Sequence, residues 1–529
     1  MIINSNFPFK LSIKFDSMDG LRVFFEDRYS RERVLFVEGL YVIDDSVNCD
    51  EYCKTISNER FSAKAYICIK KDSVKIYQKP FVIDNIYYSY EKDKIIVSNV
   101  FSNFYSKPIS KSNSSLFLKT GILPPKKTLL ENVFRIEGGE ILLIEAHENR
   151  LMTKTIWLTP EWLEYVENNS MEIVTGKNLN SLLVESINMS LCKRNPDNIT
   201  ILLSGGIDSG VIAFLLKDNK NIKDKYAYTA SYNTEAGKNE ASLASLRAKA
   251  FGYKHEVLYF DSDTFKEVVE SSFDLMDYPV GDPPAILEAY LVNQAYKKSL
   301  KYFYSGELAD TLFGGGNTFI AEKYLNYFRF LFNIIKRTEK GKKYMRKLRS
   351  AISEGSSFER QMRIWLPEEA CNPEYDLYLK LGERIKDNLR MVSAFQLFTV
   401  RNQLDHSKIY LAKKNRDIFY SLPFENLAVA EYGLALKESD KVRNLKSKYL
   451  IRETYGSKLP GKKVKQSYAP PVALWLDEKY LSYGHMPFSI DSSDGTNVSP
   501  ENGDKAWRYY IYNRWYEKKY KIKENDVHE

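Results

Sequence analysis

Residues 198–216, "NITILLSGGIDSGVIAFLL", constrain the fold of this chain more than any other stretch. The run "NITILLS" has the composition of a buried strand, and the apolar segment from about Ser209 to Lys217 has the length of a short helix. Gly205 and Gly206, which lie between them, permit a tight turn. A strand that passes directly into a helix is typical of a parallel α/β sheet, in which ligands bind at the carboxyl ends of the strands.

The same alternation continues on both sides of this unit. Helical periodicity covers residues 178–193, ahead of the strand. Further on, the predicted strands are "DKYAYTASY", "HEVLYF" and "KYFYSGE", and the predicted helices between them are "NEASLASLRAKAFG" and "PPAILEAYLVNQAYKKSL". Strands separated by helices predict a doubly wound parallel sheet, and the sequence is mostly of helical type after Gly316.

The first 155 residues or so have a different texture. Short β-type runs are separated by turn residues; they are "KLSIKF", "RVLFVEGLYVI", "AKAYICIKK", "SVKIYQ", "KIIVSNV" and "GEILLIEA". This pattern ends between residues 158 and 177. We therefore predict a mixed α/β protein with a β-rich domain at residues 1–165 and a parallel-sheet domain with added helices at residues 170–525.

Composition excludes several classes of protein. The chain has 529 residues, of which 44% are hydrophobic, and this is far from the profile of disordered chains. Its net charge of +8 is spread among acidic residues, which indicates a solvated surface rather than nucleic-acid binding. With neither a signal peptide nor a run of 18 apolar residues, we expect a cytoplasmic protein without a membrane partner. The cysteines lack zinc or disulfide spacing; they are Cys49, Cys53, Cys68, Cys192 and Cys371.

The turn after the first parallel strand has the chemistry of a phosphate site. Small and hydroxyl residues at a helix N-terminus expose amides to an anion. No Gly-Lys-Ser/Thr follows, so the turn is not a Walker A loop. Asp208 would repel phosphate unless a cation such as Mg²⁺ lay between them. A helix cap with a glycine turn is the structural alternative.

Two motifs resemble a known superfamily. "SGGIDS", residues 204–209, resembles the loop of PP-loop ATP pyrophosphatases, and "YSGELADTLFGGG", residues 304–316, resembles the second motif of the asparagine synthetase superfamily. Further segments resemble the same superfamily in the same order; they are "NEASLASLRAKAFGYKHE", "YPVGDPPAILEAY", "LPFENLAVAE" and "KYLIRETYGSKLPGKKVKQSYAPPVALW". The resemblance implies an ATP-dependent amide-forming synthetase domain at residues 170–525.

The N-terminal third resembles the glutaminase domain of that superfamily more weakly, through "KIIVSNV" and "LPPKKTLLENVFRIEGGEILLIE". Glutaminase activity requires a cysteine at position 2, whose thiolate is the nucleophile. This sequence has Ile2 there. We therefore expect residues 1–165 to form a degenerate, Ntn-glutaminase-like domain that releases no ammonia.

The resemblance also implies roles for single residues. Asp208 and Asp310 would hold Mg²⁺, and Glu307 would act as a base or bind the attacking amine. Lys465, or Lys463 if the alignment shifts, would stabilise negative charge in the reaction. The alternatives are a structural glutamate and a solvated lysine. The residues implied in binding ATP and its pyrophosphate are Leu203, Ser204, Gly205, Gly206, Asp208, Ser209, Ser305 and Gly306.

Several positions depart from the superfamily's pattern in ways that put ordinary aspartate amidation in doubt. The differing residues are Asn239, Leu308, Thr311, Glu425 and Asn426. We expect a ligase in which a substrate amine attacks an acyl-adenylate, with ATP and Mg²⁺ as cofactors. Lasso-peptide macrolactam synthetases use such chemistry, and they would imply a peptide substrate and a partner such as a leader-peptide protease or a precursor-recognition protein.

Three other functions are compatible with the sequence. A β-lactam synthetase would close a ring on a small amino acid, and an ammonia-dependent asparagine synthetase would fit the retained Glu307. A catalytically silent scaffold is the non-enzymatic alternative. The peptide reading is favoured by Glu307, by the 14% content of Phe, Trp and Tyr, and by the basic segment at residues 323–350, which would wall a larger cavity.

Overall fold

The computed structural model describes residues 10–16, 20–27, 30–34, 39–43, 65–70, 72–80, 85–91, 94–147, 150–192, 196–232, 235–325, 327, 330, 357–365, 381–414, 416–461, 475 and 503–520. Within these ranges the chain is a mixed α/β protein, as predicted. Strands dominate before residue 158, and helices on a parallel sheet follow.

The N-terminal region contains two antiparallel sheets. Its elements are β1 (Lys10–Asp16), β2 (Gly20–Asp27), β3 (Ser30–Val34), β4 (Gly39–Ile43), β5 (Ala65–Ile69), β6 (Ser73–Tyr77), β7 (Tyr87–Glu91), β8 (Lys94–Ser98), α1 (Lys111–Thr120), β9 (Val133–Arg135), β10 (Glu140–His147) and β11 (Arg150–Trp157). One sheet has the order β3-β2-β1-β8-β7-β9 and the other has the order β11-β10-β6-β5-β4. Leu11 and Val97 from the first sheet and Ile67 and Ile144 from the second belong to one buried core, so the apolar faces of the two sheets share a single interior.

Each predicted N-terminal run contains a strand, and the described residues of the run at 33–43 belong to β3 and β4, which lie in different sheets. Strands β2, β7, β9 and β11 were not predicted from the sequence. In β11, side chains alternate between exposed and half-buried along the whole strand, so its apolar signal is weak.

The C-terminal region is built on a parallel sheet. Its first elements are α2 (Thr159–Asn168), α3 (Ser170–Thr175), α4 (Leu179–Cys192), β12 (Asn198–Leu202), α5 (Ile207–Leu216), β13 (Asp224–Tyr232), α6 (Glu235–Ala250), β14 (Lys254–Phe260), α7 (Ser262–Ser272), α8 (Pro283–Lys297), β15 (Tyr302–Tyr304), α9 (Ala309–Phe313) and α10 (Asn317–Lys323). The predicted alternation of strands and helices is confirmed. Helix α7 was not predicted; the Asp261 side chain caps it by accepting a hydrogen bond from the Thr264 amide at 2.9 Å.

Helices dominate the residues that the structure describes after Lys323, as predicted. The elements are α11 (Ser357–Trp365), α12 (Asn388–Phe395), a π-helical segment (Gln396–Arg401), α13 (Asn402–Lys413), β16 (Phe419–Ser421), α14 (Leu427–Ala435), α15 (Glu438–Lys441), β17 (Val442–Arg443), β18 (Lys446–Ser447), α16 (Tyr449–Tyr455), α17 (Gly503–Trp515) and a second π-helical segment (Tyr516–Tyr520). Strand β16 completes a sheet of order β14-β13-β12-β15-β16, in which each neighbouring pair is parallel.

The N-terminal region contacts the C-terminal region near the first and the last described residues of the latter. Trp162 and Leu163 of α2 are buried in the core of the parallel-sheet region, so this core begins before residue 165. At the other end, Arg508 of α17 donates to the Leu118 carbonyl of α1 at 3.0 Å. The proposed division at residues 165 and 170 stays a prediction. Among the described residues, no helix is both long and apolar enough to cross a membrane.

Candidate active site

The predicted loops meet at the point where the parallel sheet reverses its order. From β12 the chain proceeds outward to β13 and β14, and then returns to β15 on the other side of β12. In doubly wound sheets the crevice between two such strands is the usual ligand site. The loop after β12 runs from Ser204 into the first turn of α5, which carries Asp208, and the loop after β15 runs from Ser305 into α9, which carries Asp310. Because β12 and β15 are neighbours, both motifs lie at one crevice.

The first loop is closed by its own hydroxyl groups. The Ser204 amide donates to Ser209 Oγ at 3.0 Å, the two serine hydroxyl oxygens lie 3.0 Å apart, and the Gly206 amide donates to Ser204 Oγ at 3.0 Å. Gly206 caps α5, and no side chain caps the first turn of this helix. The turn therefore presents backbone amides of the kind that bind phosphate oxygens.

Leu203 is buried and lies one residue beyond β12, where the backbone pairing with β13 continues. Only 2% of it is exposed, and its amide donates to the Tyr228 carbonyl at 2.9 Å. Its carbonyl accepts from the Thr229 hydroxyl at 2.5 Å. Both backbone groups of Leu203 are thus paired with β13, which fixes the start of the loop.

Arg247, which the sequence analysis did not single out, supports the loop from α6. Its Nη1 donates to the Gly206 carbonyl at 2.6 Å and to the Gly205 carbonyl at 3.0 Å. The guanidinium is buried, and burial lowers its pKa against the opposing effect of Glu240 and Asp208. Each bond fixes one carbonyl of the glycine turn, so Arg247 sets the conformation of the turn.

The second loop approaches the first very closely. A Cβ atom on Gly306 would lie 2.6 Å from the Ser209 amide nitrogen and 2.7 Å from the Asp208 carbonyl carbon, so only glycine fits there. A Cβ atom on Gly315 would lie 1.7 Å from Asp310 Oδ1. These two glycines let the two loops touch and let the Asp310 carboxylate turn toward the first loop.

Asp208 and Asp310 converge on one cation of the chain itself. The Lys448 ammonium forms ion pairs with Asp208 Oδ2 and, at 2.5 Å, with Asp310 Oδ1. Two carboxylates that share one positive charge have the donor set that a phosphate-bridging divalent cation requires. Among the described residues no group of three His, Cys, Asp or Glu could hold a metal, so phosphate oxygens and water would complete the coordination. The residues present therefore fit Mg²⁺ held together with ATP.

Lys448 is held in place by its backbone as well as by its charge. It precedes α16 with φ of 53°, in the left-handed region, and its amide donates to the Gly314 carbonyl at 3.2 Å. Burial would lower the pKa of Lys448, but the carboxylates of Asp208 and Asp310 outweigh burial and raise it. The only signal for Lys448 in the sequence is its place at the start of "KYLIRE".

Glu307 lies beside a buried lysine that the sequence analysis also missed. Lys408 Nζ of α13 lies 2.5 Å from Glu307 Oε1 and 2.8 Å from Glu288 Oε2. Glu307 thus belongs to a charged cluster with Lys408 and Glu288. Lys463, Lys465, Ile2 and residues 331–350 lie outside the described residues, so the predictions made for them stay predictions.

The departures from the superfamily's pattern have structural consequences. Leu308 adopts φ of 70°, which favours glycine, the residue that the pattern has there. Thr311 is fully buried, and it supplies no third carboxylate beside Asp310. Glu425 forms an ion pair of 3.1 Å with Lys79 of the N-terminal region, and Asn426 caps α14 by accepting from the Ala428 amide at 3.0 Å. Asn239 lies in α6.

A third buried lysine, Lys441, predicts a pH dependence of stability. Lys441 is fully buried, its Nζ lies 2.9 Å from Ser393 Oγ, and its Cβ would lie 2.8 Å from a Cβ at Gly314. Burial lowers the pKa of Lys441 from 10.5 to about 7, with Asp387 and Glu438 opposing this effect and Arg390 adding to it. Between pH 7 and 10.5 the unfolded chain therefore binds one proton more than the folded chain at this residue, and unfolding becomes less favourable as the pH rises.

We expect the free energy of unfolding of the wild type to rise relative to that of Lys441→Met by about 1.4 kcal/mol per pH unit over this range. Urea titrations of both proteins at pH 7, 8 and 9 measure the difference. Lys437→Met, at an exposed lysine four residues earlier, is the matched control. The difference in the free energy of unfolding between the wild type and Lys437→Met should not change with pH. A constant difference between the wild type and Lys441→Met would mean that Lys441 stays charged in the fold.

Comparisons with known proteins agree with the placement of the motifs. The family model described as asparagine synthase matches residues 178–484, more than half of the chain. A putative glutamine-hydrolyzing asparagine synthetase of Methanocaldococcus jannaschii is 21% identical over 275 residues, which cover 51% of this chain and 50% of that protein. Asparagine synthetase 1 of Bacillus subtilis is 21% identical over 483 residues, which cover 82% of this chain and 72% of that protein.

A putative asparagine synthetase of Mycobacterium tuberculosis is 29% identical over 196 residues, which cover 36% of this chain and 28% of that protein. The chain thus spans half or less of the length of the archaeal and mycobacterial relatives. Among solved structures, the tRNA thiolase NcsA from Methanococcus maripaludis aligns with 54% of this chain and 80% of its own at 14% identity and a TM-score of 0.21. The family match over residues 178–484 contains both loops of the crevice, and the chain belongs to the asparagine synthase family.

Proposed function

We propose that this protein is an ATP-dependent ligase that forms an amide between a carboxylate and an amine of the same substrate. In the first step an oxygen of the carboxylate bonds to the α-phosphorus of ATP, the bond between the α-phosphorus and its bridging oxygen breaks, and pyrophosphate leaves. In the second step the amine nitrogen bonds to the acyl carbon, AMP leaves with the bonding electron pair, and the amine loses a proton to a base. Glu307 is the candidate for that base.

The observation that carries this proposal is the convergence of Asp208 and Asp310 on a single cation beside the Ser204–Ser209 loop. A divalent cation bound there would neutralise charge on the phosphates as pyrophosphate leaves. The loop supplies the amides, Arg247 fixes its conformation, and Gly306 brings the second motif into contact with it. Most of the catalysis in such a step comes from positioning and charge neutralisation.

For the substrate we propose a peptide that is closed into a macrolactam, as in lasso-peptide biosynthesis. Glu307 belongs to a charged cluster suited to an ammonium group rather than to an apolar pocket. Tyr327 and Phe330, at the start of the predicted basic insertion, are 56% and 63% exposed and offer apolar area to a peptide. A leader-removing protease or a precursor-recognition protein would then be the partner that delivers the peptide.

The second candidate is an asparagine synthetase that uses free ammonia. The names of the archaeal, mycobacterial and Bacillus relatives, all called glutamine-hydrolyzing asparagine synthetases, favour the amidation of aspartate. Ile2, in place of the glutaminase cysteine, favours free ammonia over glutamine as the source of nitrogen. The substrates of this candidate would be aspartate and ammonium, and the same crevice would serve. The two candidates share the first half-reaction and differ in the source of the amine.

The test uses ATP, Mg²⁺ and linear peptides that carry a free N-terminal amine and one internal Asp or Glu at different spacings. We expect ATP–pyrophosphate exchange and, for at least one spacing, a product that has lost one water. The N-acetylated form of the same peptide should support exchange without cyclisation, and the form with Asn or Gln in place of the acid should support neither. Efficient formation of asparagine from aspartate and ammonium would favour the second candidate, and the absence of exchange with any acid would contradict both.

A further inference from the structure

Lys408 occupies an unusual position next to the candidate base. Only 8% of it is exposed, although it is a lysine in a helix, α13. Its ammonium lies between Glu288 of α8 and Glu307 of the second loop, at 2.8 Å and 2.5 Å. A buried ammonium needs opposite charges around it, and Glu288 and Glu307 supply them for Lys408.

The cluster has two carboxylates for one ammonium. Tyr420, at the middle of β16, donates a short hydrogen bond to Glu288. Burial raises the pKa of Glu288, the Lys408 ammonium opposes this effect, and the Glu307 carboxylate adds to it. Burial also raises the pKa of Tyr420 well above its ordinary value, so Tyr420 stays a hydrogen-bond donor.

The cluster is connected through the backbone to the Ser204–Ser209 loop. Glu307 follows Gly306, where an added Cβ atom would lie 2.6 Å from the Ser209 amide nitrogen and 2.7 Å from the Asp208 carbonyl carbon. The Ser305 amide donates to the Ser421 carbonyl at 3.1 Å, which ties the second loop to the strand that carries Tyr420. The orientation of the Glu307 side chain is thus set on one side by this backbone and on the other by Lys408.

We propose that Lys408 is a positioning residue that holds the Glu307 carboxylate toward the incoming amine, and that it serves the amide-forming half-reaction rather than adenylation. Asp208, Asp310 and Lys448 hold the phosphate side of the crevice, and none of them contacts Lys408 in the ion pairs described. The inference rests on the proposed function, because it assigns Glu307 to the amine.

The test separates the two half-reactions in Lys408→Met and Lys408→Arg. With an N-acetylated peptide, ATP–pyrophosphate exchange should stay within about twofold of the wild type in both variants, since a positioning residue for the amine is not used. With the free-amine peptide, cyclisation should fall about a hundredfold in Lys408→Met, the lower end of what a general base contributes. Lys408→Arg keeps the charge but not the geometry, and should fall about tenfold.

A matched control is available one residue after the end of the same helix. Lys414 is also mostly buried and forms an ion pair of 2.6 Å with Asp277, and it has no ion pair with Glu307 in the described part of the chain. Lys414→Met should lower the melting temperature about as much as Lys408→Met and leave the ratio of cyclisation to exchange unchanged. This comparison distinguishes positioning from a loss of stability.

Two results would overturn the inference. The first is an equal fall of exchange and cyclisation in Lys408→Arg, and the second is unchanged cyclisation in either Lys408 variant. If Lys408→Met does not fold, Lys408→Arg alone decides between these results and the expected one. If the wild-type protein shows no ATP–pyrophosphate exchange with any of the peptides, the proposed function is contradicted instead. This result is recognised before any variant is made.

Discussion

Asp208→Asn is expected to lower ATP–pyrophosphate exchange by about a thousandfold, the largest single effect in the crevice. The change keeps the size of the side chain and removes the charge that would hold a divalent cation on the phosphates. Asp310→Asn should have a similar effect, because both carboxylates pair with the same ammonium and converge on one point. Exchange is measured with the substrate that the wild type accepts.

The double variant Asp208→Asn/Asp310→Asn should be little worse than either single variant, since residues that act as a unit are not additive. Asp218→Asn is the control, because that side chain is 85% exposed and lies beyond the end of α5. A second measurement is independent of activity. Asp208 is 18% exposed and Asp310 is 55% exposed, so losing Asp208 should lower the melting temperature of the nucleotide-free protein more. Exchange that survives in Asp208→Asn would contradict the proposed site.

Sequence was sufficient to predict the two halves of this site. Each half consists of a short apolar strand, a glycine and a carboxylate a few residues on, and the rule that parallel strands present ligand sites at their carboxyl ends brings the halves together. The positions of Asp208 and Asp310 follow from this local order. The pairing of β12 with β15 is the only long-range contact that the prediction required.

The lysines could not be predicted in the same way. Lys408 comes from a helix and Lys448 from the end of a two-strand hairpin, 101 and 240 residues from their partners Glu307 and Asp208. In a chain with 77 Lys and Arg residues, a buried lysine has no local signature that distinguishes it from a solvated one. Strand β16 was missed for a related reason. It has three residues, too few for a periodic pattern, and only its pairing with β15 defines it.

Lys448→Met should lower exchange by about a hundredfold, through the loss of the positive charge between Asp208 and Asp310, beside the loop that would hold the pyrophosphate. Lys448 would act differently before and after a divalent cation binds. Without nucleotide, its ammonium holds two carboxylates that would otherwise repel each other. A divalent cation that bound both carboxylates would displace the ammonium toward the phosphates, where its charge would still be useful.

This arrangement predicts opposite effects on turnover and on metal binding. The Lys448→Met protein should bind Mn²⁺ or Mg²⁺ without nucleotide about tenfold more tightly than the wild type, because the metal no longer competes with an internal cation. Isothermal titration of the nucleotide-free proteins measures this, and Lys458→Met, at an exposed lysine just after α16, is the control that should leave both quantities unchanged. Weaker metal binding in Lys448→Met would show that the lysine orders the carboxylates for the metal. Tighter metal binding together with slower exchange means that the Lys448 ammonium occupies the cation site until a metal binds together with ATP.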